Sequence, residues 1–312
     1  MSVISISLKL ILITLLGYAA RKTGVVTSDS IRSITRLSID VIIPCYIFNA
    51  VSSIGSLQQM IDENGKALLT AAIYMAFTFM IGSAGYAALK GSLGRLFRFG
   101  TMFSNTLIFG IPIAESYWGS KGMLYLMTMY IPIRFGYYGL AELLMSERGS
   151  GGFHWQNAAK VLVSPAVLCY IAALVMLGFQ ISLPAPLKDT LAMTGACCTP
   201  IGLMIVGMIV ADFSITEVFS GEILLLTVYK VFLLPLLTLM FCTLIGIHGM
   251  PGRICVLISA VPVGPLTATF SMLYEKDPKA HAESAGWTLL STVCSIFSIP
   301  RWLMIMEKIS LI

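Results

Sequence analysis

Uncharged apolar stretches recur along the whole chain, and their length limits the fold more than any other feature. Each runs for about 18–25 residues, which is the length that crosses a bilayer as an α-helix. Backbone N–H and C=O groups find no partner in lipid, so a spanning segment must satisfy them internally. Membrane β-barrels instead show short segments of alternating polarity. The sequence therefore predicts an all-α integral membrane protein.

The composition agrees with this class and argues against others. Hydrophobic residues make up 57% of the chain and charged residues 11%, with a mean hydropathy of +0.88. A soluble domain has about 25% charged residues. The net charge of +5 is spread over short loops and helix ends and forms no basic tail. We therefore expect a lipid bilayer as a partner and no nucleic acid.

Ten membrane spans are predicted, and the most hydrophilic connection lies halfway along the chain. This connection, residues 147–156, is interpreted as a linker between a first repeat, 1–146, and a second repeat, 157–312. The N-terminus also resembles a signal peptide, but Arg21 and Lys22 follow at once and favour a retained first helix. Spans 1 to 10 cover residues 3–20, 31–53, 66–89, 99–118, 122–146, 157–178, 187–211, 219–246, 253–273 and 282–306.

The two halves of the chain carry similar residues in the same order. Five spans in each repeat is an odd number, so the second repeat enters the membrane inverted relative to the first. Inverted repeats of this kind are typical of transporters. The matching positions are Leu16-Gly17-Tyr18 with Leu177-Gly178-Phe179, Pro44 with Pro200, Tyr74 and Phe77 with Tyr229 and Phe232, Gly110 to Pro112 with Val263-Gly264-Pro265, and Ile131-Pro132 with Ile299-Pro300.

Lysine and arginine in the loops indicate the orientation, because cytoplasmic loops carry more of them. Eight such residues fall on one side and five on the other, which favours the first side as cytoplasmic. We expect a multi-pass protein of the cell membrane with both termini extracytoplasmic. The first side holds Arg21, Lys22, Lys90, Arg95, Arg98, Arg148, Lys276 and Lys279, and the second holds Lys66, Lys121, Lys188, Arg253 and Lys308.

Two spans are predicted to be broken at matching places. Span 4 is expected to break at Gly110-Ile111-Pro112 and span 9 at residues 260–265. A break frees a half-helix N-terminus that suits an anion, and transporters use paired broken helices in this way. The alternative is that each proline only kinks a packed helix. The candidate substrate-binding residues are Ser104, Asn105, Thr106, Gly110, Ile111 and Pro112 in span 4, and Pro262, Val263, Gly264, Pro265 and Thr267 in span 9.

Ionisable residues within a span are functional candidates, because placing them in lipid is costly. Arg134, in span 5, is a further candidate for substrate binding, since its guanidinium pairs with a carboxylate through two hydrogen bonds. The alternative is a fixed ion pair with Glu115 or Glu142. Glu115 itself is a candidate for binding a coupling ion, Na⁺ or H⁺, or else a rim residue facing water.

Two further charged residues within the predicted spans, Lys230 and Asp40, each allow a functional and a structural interpretation. Lys230, in span 8, either touches the substrate, or extends along the helix to water or pairs with another side chain, and the last two interpretations are favoured. Asp40, in span 2, is a second candidate for the coupling ion or proton. It also lies four residues after Arg36 on one helix face, which favours an ion pair between the two.

Membrane enzymes and metal sites are disfavoured. The sequence has no G-x-G-D motif of aspartyl intramembrane proteases, no Asp-rich metal motif, and no histidine within a span to activate a serine. We expect no cofactor, no bound metal and no enzymatic activity. The histidines are His154, His248 and His281, and the seven cysteines are at positions 45, 169, 197, 198, 242, 255 and 294, an arrangement that favours small buried side chains over a disulfide framework.

One short motif resembles a known transporter family. SNTLIFGIP, residues 104–112, is similar to the N-T-x-x-x-G-x-P crossover of the auxin efflux carrier family, which includes plant auxin carriers and many prokaryotic carriers. Further similarities, in order, are GYAARKTGVV followed by Asp40 and Pro44, TGACCTPIGLMIVG with Gly195, Pro200 and Gly207, and SMLYEKDPKAHAESAGWTLLSTVCSIFSIPRWL with Ser291, Thr292 and Pro300.

The resemblance implies an architecture related to bile acid:sodium symporters, with ten helices in two inverted five-helix repeats. Spans 1, 2, 6 and 7 would form a scaffold that dimerises, and spans 3–5 and 8–10 a moving transport domain. The implied function is elevator-type transport of a small organic anion at the crossover of spans 4 and 9. A channel-like role or export of an uncharged or cationic drug or metabolite is the alternative.

The sequence departs from the plant members in places. Their second crossover carries an asparagine, whereas span 9 reads AVPVGPLTATF, which argues against an auxin-like substrate. Their long central loop is absent, as in prokaryotic carriers. Arg134 also lies in a span that the family keeps mostly uncharged.

Overall fold

The structure, a computed structural model, describes residues 3–52, 57–146, 153–211 and 220–309. Residues 147–152 of the predicted linker, including Arg148, lie outside these ranges, as do residue 53 of span 2 and residue 219 of span 8. In the described part the chain is helical, and its extended pairing is limited to one bridge between Ser104 and Val263. The predicted all-α fold is confirmed.

The first half of the chain contains long helices, and one of them, α5 (Ile111–Gly139), is interrupted at Gly119. Gly119 has a φ of 58° and separates the part of α5 that belongs to span 4 from the part that belongs to span 5. A positive φ suits glycine, which has no Cβ to clash with the backbone. The helices are α1 (Val3–Lys22), α2 (Ser28–Ser52), α3 (Leu57–Leu89), α4 (Gly91–Met102), α5 (Ile111–Gly139), α6 (Ala141–Met145) and α7 (Trp155–Ala159).

The second half differs from the predicted spans mainly at span 6. That span was predicted as one helix over 157–178, but the long helix begins only at Pro165, because proline disfavours helix in the residue before it and suits the first helical position. The helices are α8 (Pro165–Gly178), α9 (Ala185–Ala211), α10 (Gly221–Leu244), α11 (Met250–Ala260), α12 (Leu266–Tyr274) and α13 (Pro278–Ile309).

Several helices suit a membrane by length and composition. Among the described residues, five are long and apolar enough to cross it, and α8 and α11 are shorter apolar helices. The five are Ser28–Ser52, Gly65–Leu89 within α3, Ala185–Ala211, Gly221–Leu244 and Lys279–Ile309 within α13.

Proline shapes three of the helices, because it has no N–H and its ring pushes against the carbonyl four residues earlier. In each case the turn before the proline widens into a π-helical turn. In α10 the carbonyl of Val231, four residues before Pro235, accepts a hydrogen bond from Nε1 of Trp302 at 2.8 Å instead. The π-helical turns and their prolines are Ser38–Ile42 with Pro44, Thr106–Gly110 with Pro112, and Tyr229–Leu233 with Pro235.

The chain forms two compact units, each of which takes residues from both sides of the linker. Unit 1 comprises Met1–Leu68, Leu107–Ile131 and Lys160–Asp212, and unit 2 comprises Leu69–Thr106, Pro132–Ala159 and Phe213–Ile312. The division into repeats at residues 1–146 and 157–312 concerns internal sequence symmetry and stays a prediction.

Glycine sets the closest helix contact of unit 1. A Cβ placed on Gly207 of α9 would overlap the backbone carbonyl of Thr14 in α1, and one on Gly17 of α1 would overlap the backbone of Met204. Each helix therefore offers a glycine to the other's backbone. Small residues allow such close packing of membrane helices, where dispersion replaces the hydrophobic effect as the main attraction.

Candidate functional site

The first helix break lies earlier in span 4 than predicted. Residues 103–105 leave the helical conformation, whereas Gly110, Ile111 and Pro112, the predicted break, are all helical. The widened π-helical turn before Pro112 accommodates its missing N–H without ending the helix. The break at 103–105 instead depends on a partner elsewhere in the chain, which no local pattern reveals.

That partner is the break in span 9. Helix α11 ends at Ala260 and α12 begins at Leu266, so residues 261–265 interrupt the span. Ser104 and Val263 form an antiparallel bridge, and the N–H of Asn105 donates to the carbonyl of Pro262 at 2.8 Å. The two breaks thus satisfy part of each other's backbone, which is how irregular backbone is tolerated at membrane depth.

Hydroxyl groups of α13 also satisfy the second break. The N–H of Val263 donates to Oγ of Ser291 at 3.2 Å, and Oγ of Ser295 donates to the carbonyl of Ala260 at 3.3 Å. Sequence reasoning missed this role. A detectable signal exists, because Ser284, Thr288, Ser291, Thr292, Ser295 and Ser298 recur at helical spacing within an apolar span and are all buried.

Lys230 is the charged residue that the sequence analysis undervalued. It is 0% exposed and lies in the π-helical turn of α10, so the interpretation that it extends to water is wrong. Its Nζ donates to Oγ of Ser104 at 2.7 Å and to the carbonyl of Gly100 at 3.2 Å. The amino group therefore lies directly against the first break. Among the described residues, no carboxylate forms an ion pair with it.

Arg134 contacts the ring of Tyr137, and Tyr137 in turn lies beside the second break. Its guanidinium carbon is 4.6 Å from the ring centre of Tyr137 and 4.9 Å from that of Tyr138, whose hydroxyl accepts a hydrogen bond from Nη2 at 3.1 Å. The hydroxyl of Tyr137 lies beside Gly264, 3.6 Å from where a Cβ would stand. Arg134 thus adds a second cation to this part of unit 2.

The other predicted residues of the crossover fall at or next to the two breaks. Thr106 is buried and its Oγ1 donates to the carbonyl of Ser104 at 3.4 Å. Thr267 is fully buried, and its Oγ1 has no hydrogen-bond partner in the described part of the chain. The side-chain amide of Asn105 is half-buried and also makes no hydrogen bond to a described residue, although amides carry donors and acceptors alike. Pro265 is exposed at the end of the second break.

Glu115 belongs to unit 1, in a separate polar cluster. Its carboxylate accepts hydrogen bonds from Oγ1 of Thr199 in α9 and from the hydroxyl of Tyr46 in α2. Gly202 allows this contact, since a Cβ there would come within 2.9 Å of Pro112. The half-buried carboxylate is thus met by neutral donors.

Asp40 forms the local ion pair that its spacing favours. Its Oδ2 lies 3.3 Å from Nε of Arg36, and the two side chains are 42% and 86% exposed. A pair so exposed is well solvated and contributes little to stability.

Basic and neutral hydrogen-bonding side chains of unit 2 meet at the two breaks. Two cationic side chains, Lys230 and Arg134, lie at or near the breaks, and Asn105 and Thr267 offer neutral hydrogen-bonding groups without described partners. Side chains of these types form the strong, charge-assisted hydrogen bonds to carboxylates that are common in proteins.

Comparisons with known proteins identify the family of the chain. A family model described as membrane transport protein matches residues 2–303. An uncharacterized transporter of the archaeon Methanocaldococcus jannaschii is 20% identical to this chain, over 94% of this chain and 95% of that protein. Both descriptions are of transport proteins. With its apolar helices, the chain is a multi-pass membrane transport protein, and it belongs to the auxin efflux carrier family.

Proposed function

We propose that this protein is a secondary transporter or facilitator for a small organic anion, a carboxylate, bound where spans 4 and 9 are broken. The observation that carries the proposal is the fully buried amino group of Lys230 against the first break. Burial disfavours the charged form of a lysine unless an anion lies beside it, and no described carboxylate does, so a substrate carboxylate would supply the negative charge that favours the ammonium. The same charge disfavours a cationic solute.

The proposed binding residues follow from this geometry. Ser104, Asn105 and Thr106 contribute from the first break, with Arg134 and Lys230 as the charged partners. Pro262, Val263, Gly264, Pro265 and Thr267 contribute from the second break. Gly110, Ile111 and Pro112, which the sequence analysis also proposed, lie one turn further along the helix that begins at Thr106, and they belong to unit 1.

We further propose an elevator-type alternating-access mechanism in a ten-span, inverted-repeat fold like that of bile acid:sodium symporters. Unit 1, which holds spans 1, 2, 6 and 7, supports the assignment of these spans to a scaffold, and unit 2 holds spans 3, 8, 9 and 10. Unit 1 also includes residues 107–131 of spans 4 and 5. We place the protein in the cell membrane as a homodimer with both termini extracytoplasmic.

Counterflow tests the substrate class. Purified protein in liposomes is loaded with unlabelled malate, malonate, citrate or indole-acetate and offered traces of the labelled acid outside. We expect label to overshoot with one acid, and Asn105→Ala to slow the exchange by about tenfold to a hundredfold, since it removes a hydrogen bond to a charged group.

The matched control is Asn49→Ala, which changes the same residue type in α2, a helix that carries no residue of either break. It should exchange as wild type does. Folded wild-type protein that exchanges none of these acids would contradict the proposal and would favour a channel-like role or an exporter of uncharged solutes.

Glu115 is the proposed proton carrier, with Asp40 as the second candidate. The groups that face Glu115 are Tyr46, Thr199 and Cys198, and none of these supplies a positive charge. Glu115→Gln keeps the shape of the side chain and removes the ionisable group. We expect it to abolish uptake driven by a pH gradient while counterflow, which needs no gradient, continues. Asp40→Asn serves as the comparison, and gradient-driven uptake that survives Glu115→Gln but not Asp40→Asn would reassign the role.

A further inference from the structure

We propose that a cleft in unit 1 binds an anionic phospholipid, with part of an acyl chain inside the cleft and the phosphate beside Lys188. The cleft has a volume of about 240 Å³ and lies among the end of α2, the end of α8 and the start of α9. It contains no residue of either helix break, so the inference does not depend on the proposed function.

The interior of the cleft is mostly apolar and suits a hydrocarbon chain. Lipid tails are about as apolar as leucine, so an acyl chain can enter without leaving an apolar environment. Clefts for drug-sized ligands measure about 300–1,000 Å³, so this smaller one admits only part of a chain. The apolar lining residues are Phe48, Met176, Leu177, Ile181, Leu183 and Leu191.

Exposed apolar side chains accompany the cleft on the connection between α8 and α9 and at the start of α9. Phe179 is 77% exposed, Ile181 55% and Leu187 47%. Ile181 itself lines the cleft, and the other two each precede a lining residue. Large apolar side chains grouped in this way indicate contact with a membrane rather than with water. The occupant of the cleft is therefore expected to come from the bilayer.

Polar side chains at the same place indicate the charge of that lipid. Gln180 and Ser182 lie in the connection between α8 and α9, and Lys188 lies in the first turn of α9. None of the three side chains forms a hydrogen bond or an ion pair with another residue that the structure describes. An amide, a hydroxyl and an ammonium are donors that phosphate oxygens accept. The unpaired positive charge favours an anionic lipid over a zwitterionic one.

Gln180 has a backbone conformation that glutamine disfavours. Its φ is 55°, in the left-handed region, and its N–H donates to the carbonyl of Leu177 at 3.2 Å at the end of α8. Helices commonly end on a glycine in this conformation, because glycine has no Cβ to clash. A strained residue points to a use for its side chain, and an amide that donates to the lipid phosphate gives Gln180 such a use.

Thermal unfolding in neutral detergent tests the inference. The protein receives phosphatidylglycerol, phosphatidylcholine with the same acyl chains, or glycerol phosphate, which has a head group without chains. Lys188→Gln, Leu191→Trp and Gln180→Gly are compared with wild type. Lys66→Gln is the matched control, because Lys66 is an exposed lysine of the same unit that does not line the cleft.

We expect phosphatidylglycerol to raise the wild-type melting temperature more than phosphatidylcholine does, and glycerol phosphate to leave it unchanged. In Lys188→Gln, the amount of phosphatidylglycerol that gives half of this rise should increase about fivefold, since one basic residue is lost. Leu191→Trp fills the cleft and should remove the difference between the two lipids. Lys66→Gln should respond as wild type does.

Gln180→Gly separates the role of the side chain from that of the fold. Without lipid it should melt no lower than wild type, because glycine accepts the left-handed conformation. It should nevertheless respond less to phosphatidylglycerol, because the amide is lost. A variant that melts lower without lipid and responds as wild type does would show that Gln180 acts only in the fold.

Equal responses of the wild-type protein to the two lipids would overturn the inference, as would Lys188→Gln and Lys66→Gln that weaken the response alike. A rise in melting temperature with glycerol phosphate would make the cleft a site for a soluble anion instead. If Leu191→Trp converts a dimer into a monomer, the occupant is a second copy of the chain and the lipid assignment fails. If Leu191→Trp does not fold, Lys188→Gln decides the question.

Discussion

Arg95→Met should lower the free energy of unfolding by about 3–5 kcal/mol, which is the cost of leaving a buried charge without its partner. Nη2 and Nε of Arg95 lie 2.5 Å and 2.7 Å from Oε2 of Glu275, and the two side chains are 9% and 3% exposed. The pair joins α4 to the segment between α12 and α13 within unit 2. Removing the guanidinium leaves the buried carboxylate of Glu275 without a cationic partner.

A double-mutant cycle identifies the cause of this loss. Arg95→Met with Glu275→Met should recover most of the stability, since two apolar side chains can replace a buried ion pair at little net cost. Arg36→Met is the matched control, because its pair with Asp40 is exposed and should contribute less than about 1 kcal/mol. Thermal or denaturant unfolding in detergent gives the values. Equal effects of Arg95→Met and Arg36→Met would show that burial of the first pair does not matter.

Gly207→Val should destabilise unit 1 by about 3 kcal/mol or more, because the core must shift to admit side-chain atoms. The new Cβ would meet the carbonyl of Thr14, and a backbone atom cannot rotate away as a side chain can. Helices α1 and α9 would have to separate along the contact where Gly17 approaches Met204. We expect a lower yield of monodisperse protein and a lower melting temperature.

Gly65→Val provides the comparison for this variant. Gly65 lies inside helix α3, and a Cβ there has no neighbour within 4 Å. The substitution therefore adds the same apolar side chain as Gly207→Val does, but without the overlap. It should leave the melting temperature near that of wild type or raise it, since valine suits a helix better than glycine does. A Gly207→Val protein as stable as Gly65→Val would mean that α1 and α9 do not pack closely.

The sequence by itself determined the class of the protein and its family. Long apolar runs leave helices as the only way to pair the backbone in lipid, and this argument needs no tertiary contact. The motif at residues 104–112 and the ordered similarities after it pointed to the auxin efflux carrier family, to which the chain belongs. The break in span 9 was also readable, because Pro262, Gly264 and Pro265 within four residues leave little room for a helix.

Only the tertiary structure decided where span 4 breaks and what lies beside the break. Pro112 marked the wrong place, because a π-helical turn absorbs a single proline, whereas the chain leaves the helix at Ser104 to pair with Val263. Nothing local to Lys230 shows that it is buried, since a lysine in a span can equally extend to water. Its contact with Ser104 joins residues 126 positions apart. Contacts across such distances depend on how the helices pack, and residue patterns along one helix do not encode them.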